Sequence, residues 1–404
     1  MLLDSKRIPL FEPTVYSLTQ LRMSNLATNT IESSLRGIMI LYLWLDLRDI
    51  NIRERGRHGE LLTLVEIESL ICFCRLPMAE MPCRHVNGAK VLPLKVMACE
   101  KYRARPRPKR MQDVLPATAA NRLRAIRDFL SWFSLVQLSR QNKQSSHYDS
   151  LYAARQMMIE AINVRIPECS RGSLGDREGL DSESRGILLQ VVDSSSKNNP
   201  WKEEHSKHRN VLIVNMLYYL GLRRGELLGI RIPNIDFRGN TVIIVRRADD
   251  PKDPRHNQPN TKTKARKISF SSGLRDMIET YILRHRAAFL GAKKHDFLFV
   301  STDSGAPLSI SSLNKIFRIL SMKCPELPKV YPHILRHTWN DRFSEEMDKH
   351  KESEETEKKT RAYIMGWCST SQTAATYTKR HIREKANAVS LEMQTKMMGV
   401  EHDK

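Results

Sequence analysis

No stretch of the 404-residue sequence has the length and apolarity of a transmembrane helix. The best apolar run, Gly37 to Leu45, falls far short of the ~20 residues needed to cross a bilayer. Met1 to Leu10 carries Asp4, Lys6 and Arg7 and lacks the apolar centre of a signal peptide. These absences predict a cytoplasmic protein without a membrane partner. Cysteine is sparse as well: seven, an odd number, scattered over a long chain, which excludes a disulfide framework. Cys72, Cys74, Cys83 and His85 lie close in sequence, but C-x-C followed by C-x-H matches none of the usual structural zinc spacings. They read as buried free thiols near a helix end, and no metal or other cofactor is expected. Acidic residues are in deficit, 45 against 66 Lys and Arg, giving a net charge of +21 and a pI near 9.8. Such an excess points to a polyanionic partner, most simply nucleic acid, because each phosphate neutralised releases counterions.

What is present organises into two parts. The first 24 residues give no clear signal. From Thr28, Ile31, Leu35, Ile38, Tyr42 and Leu45 recur at helical spacing, ending near Asp49 before a polar, Arg-rich stretch, Asn51 to Gly59. Thr63 with Glu66 three residues on is a capping box opening a helix over Leu64 to Cys74. Lys101 to Arg110 carries six positive charges among prolines, an extended basic segment in which Arg103, Arg105, Arg107, Lys109 and Arg110 are candidate nucleic-acid contacts. A helix from Thr118, with Leu123, Ile126, Leu130 and Phe133 inward, adds Arg122 to that set on a face shared with Arg124 and Arg127. Residues 1–165 therefore read as an α-helical nucleic-acid-binding domain, and 166–180 as a linker.

The second part, 181–385, reads as mainly α with a small β-sheet, followed by a tail over 386–404. Asp181 or Ser182 caps a helix with Ile187, Leu188, Val191 and Val192 inward. The segment from Arg209 to Leu220 is strongly apolar and runs into Gly221-Leu222-Arg223-Arg224-Gly225-Glu226. Thr241 to Val245 and Lys267 to Phe270 are short strand candidates, joined by a polar connection with Lys262 and Lys264 at its exit, free to enter a groove. Ser272 to Leu290 and Ser311 to Leu320 are helical and Phe297 to Ser301 extended, whereas Glu345 to Lys359 reads as a solvated, charged excursion.

Read from the residues alone, Tyr331 to Tyr377 is the chemically richest stretch. His333 and Arg336 share one face if the segment is helical, a donor pair suited to a phosphate, and Tyr377 follows as a potential nucleophile. In combination, Gly221-Leu222-Arg223-x-Gly225-Glu226, Thr261-Lys262-Thr263 before Arg266, His333-x-x-Arg336-His337, and Met365-Gly366-Trp367 before Tyr377 resemble the tyrosine recombinase (phage integrase) family. The resemblance covers roughly residues 180–385.

It implies that Arg223 and Arg336 stabilise the equatorial oxygens of a trigonal-bipyramidal phosphate, the fixed fork of the guanidinium suiting this role. Arg224 competes with Arg223 by position, and the bland alternative for Arg223 is an ion pair with Glu226. Tyr377 would form a 3′-phosphotyrosyl link, with His333 as base or hydrogen-bond partner and Lys262, or else Lys264, as the acid for the leaving oxygen. Tyr363 and Tyr331 are the weaker nucleophile candidates. Because the link conserves bond energy, neither ATP nor metal is needed. Trp367 stands where the family most often has His, and its indole N–H still donates. Tyr377 follows it by ten residues, one more than the family's spacing.

The implied function is that of an integrase or transposase of a bacterial mobile element, bound to the nucleoid when on DNA. Its implied partners are double-stranded recombination sites, further copies forming dimers and a synaptic tetramer (the tail docking on a neighbour), and accessory recombinase or DNA-bending proteins. The two domains would clamp the duplex. The alternatives are type IB topoisomerase-like relaxation and a non-cleaving, sequence-specific DNA-binding protein on the same fold.

Overall fold

The computed structural model of the chain describes residues 1–4, 6–26, 28–81, 113–168, 179–245, 250–259, 261, 263–350, 352–367, 386–387 and 389–395. Among them no helix is long and apolar enough to cross a membrane. The chain divides into two compact units, Met1–Arg171 and Gly172–Lys404.

The first unit is helical. It comprises α1 (Phe11–Tyr16), which runs into a π-helical turn over Ser17–Arg22, then α2 (Thr28–Arg48), α3 (Ile52–Arg57), α4 (Leu64–Cys74), α5 (Pro116–Leu138) and α6 (Ser146–Arg165). The apolar stripe expected on α2 faces the core, with Ile38, Leu41 and Trp44 closed to solvent alongside Phe129 and Phe133 of α5. The capping box at Thr63 forms as expected, and Glu66 does more than cap, since it also accepts from Arg55 at 2.8 Å. Helix α5 starts at Pro116, two residues before Thr118, with proline in the first turn where its missing N–H costs nothing. Within the polar stretch 51–59, Asn51 caps α3 by accepting from the Glu54 N–H. Cys74 is buried and its thiol is pushed up to about 12 by that burial, whereas Cys72 is exposed; Cys83 and His85 lie outside the described residues.

The second unit opens at Gly179 and Leu180. Its elements are α7 (Ser182–Val192), α8 (Glu204–Leu220), α9 (Arg224–Leu228), β1 (Ile235–Asp236), β2 (Thr241–Ile244), β3 (Arg266–Ser269), α10 (Ser272–Thr280), α11 (Ile310–Lys323), α12 (Pro332–Lys349) and α13 (Glu354–Met365). A π-helical turn, Tyr281–Arg286, continues α10. The sheet is antiparallel in the order β1-β2-β3, with Val242 opposite both Ile235 and Ile268. The core gathers Leu188, the buried face of α8, Ile278, Leu313, Leu320 and Leu335, all at or near zero exposure. Helix α12 lies against α8, and Trp339 ties them by donating from Nε1 to the Tyr219 carbonyl at 3.0 Å. The end of the expected linker is fastened to α12: the Gly179 N–H donates to Asp341 and the Leu180 N–H to the Thr338 hydroxyl, each at 2.8 Å.

One expectation is overturned and a second is refined. The connection between β2 and β3 is not free where it is described. Arg255, paired with Asp253 at 2.7 Å, donates to the Leu228 and Leu308 carbonyls and lies over the Phe297 ring, and Gln258 clamps Asp250. The charged stretch 345–359 is largely exposed, as expected, but most of its described residues are helical, ending α12 and beginning α13. Arg361, buried completely, draws the two helices together through the Asn340 carbonyl, Ser344 and Glu357. A guanidinium so placed is tolerated only because its donors meet oxygens.

Candidate active site

Helix α8 ends at Gly221, whose left-handed backbone (φ +60°) turns the chain so that Leu222 is buried and Arg223 becomes the N-cap of α9. Three residues on, Glu226 sits inside the fold, 2% exposed, and accepts from the Arg223 backbone N–H at 2.9 Å. A buried carboxylate needs a partner. The partner is Arg266, the first residue of β3, which holds both oxygens at 2.9 and 3.1 Å, while the Thr263 hydroxyl donates at 2.5 Å. Burial alone would raise the Glu226 carboxyl. The Arg266 guanidinium, aided by Arg336 and Thr263, overrides that effect and holds it at about 2.

Arg266 also donates from Nε to the Ile364 carbonyl at 2.5 Å, which fixes the end of α13 over the same carboxylate. There Gly366 takes the left-handed conformation (φ +66°) and the Trp367 N–H closes back on the Ala362 carbonyl at 2.9 Å. A Cβ at Gly366 would stand 2.7 Å from Arg266 Nη1, so the turn needs glycine for space as well as for φ.

Arg336 enters from the second turn of α12. Nη1 donates to the Gly221 carbonyl at 2.6 Å, Nη2 donates to the Met365 carbonyl at 3.1 Å, and Glu226 lies 3.8 Å away. Its guanidinium stands 5.7 Å from the Trp367 ring centroid. The side chain is closed to solvent, so two of its five N–H groups are committed to carbonyls that a phosphate would have to displace or share. Arg223 approaches the same place from the other side, with Nη1 at 3.5 Å from both the Met365 carbonyl and Glu226, and its side chain is one-third exposed. Arg224 is exposed and turned to Asn314 at 3.3 Å, so of the two neighbours it is Arg223 that joins Arg336.

The remaining candidates divide. His333, in the first turn of α12, is exposed, and its ring stands 4.5 Å from that of the buried His337. Trp367 is mostly buried against Met365. Lys264 is exposed and its backbone N–H donates to the Gly366 carbonyl at 3.2 Å. Lys262 and Tyr377 lie outside the described residues, as do Arg103, Arg105, Arg107, Lys109 and Arg110. Arg122 is turned to the end of α4, donating from Nη1 to the carbonyls of Cys74 at 2.8 Å and Leu76 at 2.7 Å. Reasoning from sequence missed Glu226 and Arg266 as the pair that builds the site. It weighed Glu226 only as a partner for Arg223, and an acid at the end of an apolar helix was the available signal for a buried ion pair.

Residues 190–383 match the model of the phage integrase family. Among curated proteins, tyrosine recombinase XerC of Bacillus subtilis is 29% identical over 133 residues, 32% of this chain and 39% of that protein. Tyrosine recombinase XerC of Staphylococcus aureus is 23% identical over 221 residues, 54% of this chain and 65% of that protein. The chain thus spans less than two-thirds of the length of either relative. Solved structures that resemble it include XerA recombinase (19% identity, 66% of this chain and 82% of that one, TM-score 0.38). The Tn1549 transposon integrase in complex with circular intermediate DNA also does so (18% identity, 67% and 78%, TM-score 0.41). Residues 190–383, a little under half of the chain, are thus similar to the phage integrase family, the tyrosine recombinases.

Proposed function

We propose that this protein is a site-specific DNA recombinase, an integrase or transposase of a mobile element, that cuts and rejoins DNA through a 3′-phosphotyrosyl intermediate. The observation that carries the proposal is the convergence of Arg223 and Arg336 on one point beside Trp367, with a buried Glu226–Arg266 pair beneath them. Preorganised guanidiniums stabilise charge that develops on phosphate oxygens without reorganising at the moment of reaction.

On this reading the Tyr377 phenol oxygen attacks phosphorus and the bond to the 5′-oxygen breaks. His333 accepts the phenol proton or hydrogen-bonds to it. Lys262, with Lys264 the alternative, protonates the leaving 5′-oxygen. The Trp367 indole N–H is a further donor to a phosphate oxygen. Religation reverses each step. The DNA partners are double-stranded recombination sites, with two copies of the chain per site and four per synapse, and accessory recombinase or DNA-bending proteins complete the assembly.

A nicked suicide substrate tests the reaction, because the short strand released on cleavage diffuses away and leaves protein joined to DNA. The expected outcome is a covalent adduct formed without ATP and abolished by Tyr377→Phe. Sequence-specific binding with no adduct would replace the proposal with a non-cleaving DNA-binding protein. Relaxation of any supercoiled plasmid without junctions between sites would replace it with a topoisomerase.

A further inference from the structure

The first turn of α8, at the end of that helix remote from Arg223, gathers side chains that the recombination chemistry does not use. Glu204 and His208 are four residues apart and so share a face. Their first turn is fixed by Glu203, which caps α8 by accepting from the His205 and Ser206 N–H groups at 2.9 and 2.6 Å. His285, buried in the π-helical turn after α10, meets them there: one ligand atom each from Glu204, His208 and His285 lies within 4.8 Å of the others. His208 Nε2 stands 3.5 Å from Glu204 Oε1, and the His208 and His285 rings are stacked at 4.1 Å. The His285 Nδ1 lies 3.3 Å from Nδ1 of His205, whose ring packs edge-on against Phe289.

We propose that Glu204, His208 and His285 form a binding site for a divalent transition metal ion of the zinc type, with His205 as the positioning residue that orients His285. Two imidazoles and a carboxylate form a mixed N/O donor set that favours zinc, nickel or copper over magnesium or calcium. A ligating histidine is usually held by donating its second ring N–H to a neighbouring acceptor, so with the His285 Nδ1–H given to Nδ1 of His205, Nε2 is the ligating nitrogen of His285. Bonds of about 2.0–2.1 Å at tetrahedral angles bring ligand atoms to roughly 3.3 Å of one another. Reaching that spacing requires the Glu204 side chain to turn inward and the His208 ring to rotate out of its stack on His285.

The ion is structural. The 17 residues of α8 put about 25 Å between its two ends, so no ion here reaches a phosphate held at Arg223. It clips α8 to the turn after α10. In that turn the neighbouring Arg286 already holds the carbonyls of Ala292, His295 and Phe297.

The test uses the full chain, stripped with a chelator and titrated with Zn²⁺ against a chromogenic competitor, with Co²⁺ as a spectroscopic probe and thermal melting as a second readout. We expect one tight equivalent, the visible absorption of four-coordinate Co²⁺, and a Tm raised by roughly 5–10 °C at a hundredfold excess over Kd. His208→Ala and Glu204→Gln alter side chains outside the core, so they should fold with the metal-free Tm and lose at least ~10-fold in affinity. His205→Ala should still bind, about 10–100-fold more weakly and with a shifted Co²⁺ spectrum, a change that a packing role alone would not produce. Binding and a Tm rise undiminished in both His208→Ala and Glu204→Gln would place the ion elsewhere among the 13 histidines and overturn the proposal, as would no binding at all. DNA cleavage, assayed well below the Tm, should run equally with chelator and with Zn²⁺, and a strict zinc requirement would overturn the structural role.

Discussion

Arg223 and Arg336, carried on different elements, both donate to the carbonyl oxygen of Met365, at 3.5 and 3.1 Å. Two guanidiniums do not approach one point unless something offsets their repulsion. The offset is Glu226, within 3.5 Å of Arg223 and 3.8 Å of Arg336, itself locked by Arg266. A single carbonyl at a helix end therefore sets the spacing of the two phosphate-directed side chains, and one buried carboxylate makes that spacing affordable.

Glu226→Gln should remove the offset while keeping the size of the side chain. Arg266 and Arg336, both closed to solvent, would then lack their carboxylate, and losing one partner of a buried pair costs about 3–5 kcal/mol. Urea unfolding at neutral pH should show a loss of that order in the second unit, and a variant as stable as the parent would show that the pair contributes nothing.

The same residue sets an acid limit. Its carboxyl is held at about 2 in the fold against an ordinary 4.5, so the folded state binds its proton less readily than the unfolded chain. The stabilisation is thus complete above about pH 4.5 and is lost as pH falls through about 2, an effect on the order of 3 kcal/mol. Melting temperature plotted against pH should fall through that window in the parent and be flatter there in Glu226→Gln.

Gly366→Ala tests the turn that presents Met365. A non-glycine residue at φ +66° costs about 1–2 kcal/mol, and the added Cβ also meets Arg266 Nη1 at 2.7 Å and Thr263 Cβ at 3.0 Å. The expected result is a lower Tm together with a reduced yield of covalent adduct, because the carbonyl holding both arginines shifts.

Arg223→Lys should separate folding from chemistry. The side chain is one-third exposed and its contacts are long, so stability should change by less than about 1 kcal/mol. Lysine lacks the two-pronged fork, and cleavage should fall by about 100-fold or more. Arg122→Ala should do the reverse in the first unit. Loss of its bonds to the Cys74 and Leu76 carbonyls should cost about 1–3 kcal/mol, with the salt dependence of DNA binding unchanged.

The sequence made legible the elements whose signals are local. The capping box at Thr63, the stripe on α2 and the Asp181 cap on α7 all depend on neighbours within a turn or two, and they formed where expected. Strand β3 was one residue out, with Arg266 inside it, because an arginine at a strand end reads as loop until its buried carboxylate is known. The stretch 345–359 is exposed as its charges imply, but they did not show that it is helical. Exposed i,i+4 pairs such as Lys358–Glu354 line it, and just beyond it the buried Arg361 reaches Asn340, a partner that a count of charges does not reveal. Of the candidate site, the motifs named Arg223, His333, Arg336 and Trp367. That Glu226 and Arg266 bind Arg223 and Arg336 into one unit needed the contact between residues 40 apart.

The most direct test of the central claim is to map the protein–DNA adduct. After capture on a nicked suicide substrate and protease digestion, mass spectrometry should find the nucleotide on the peptide containing Tyr377. Attachment at Tyr363 or Tyr331, or on a residue other than tyrosine, would contradict the account.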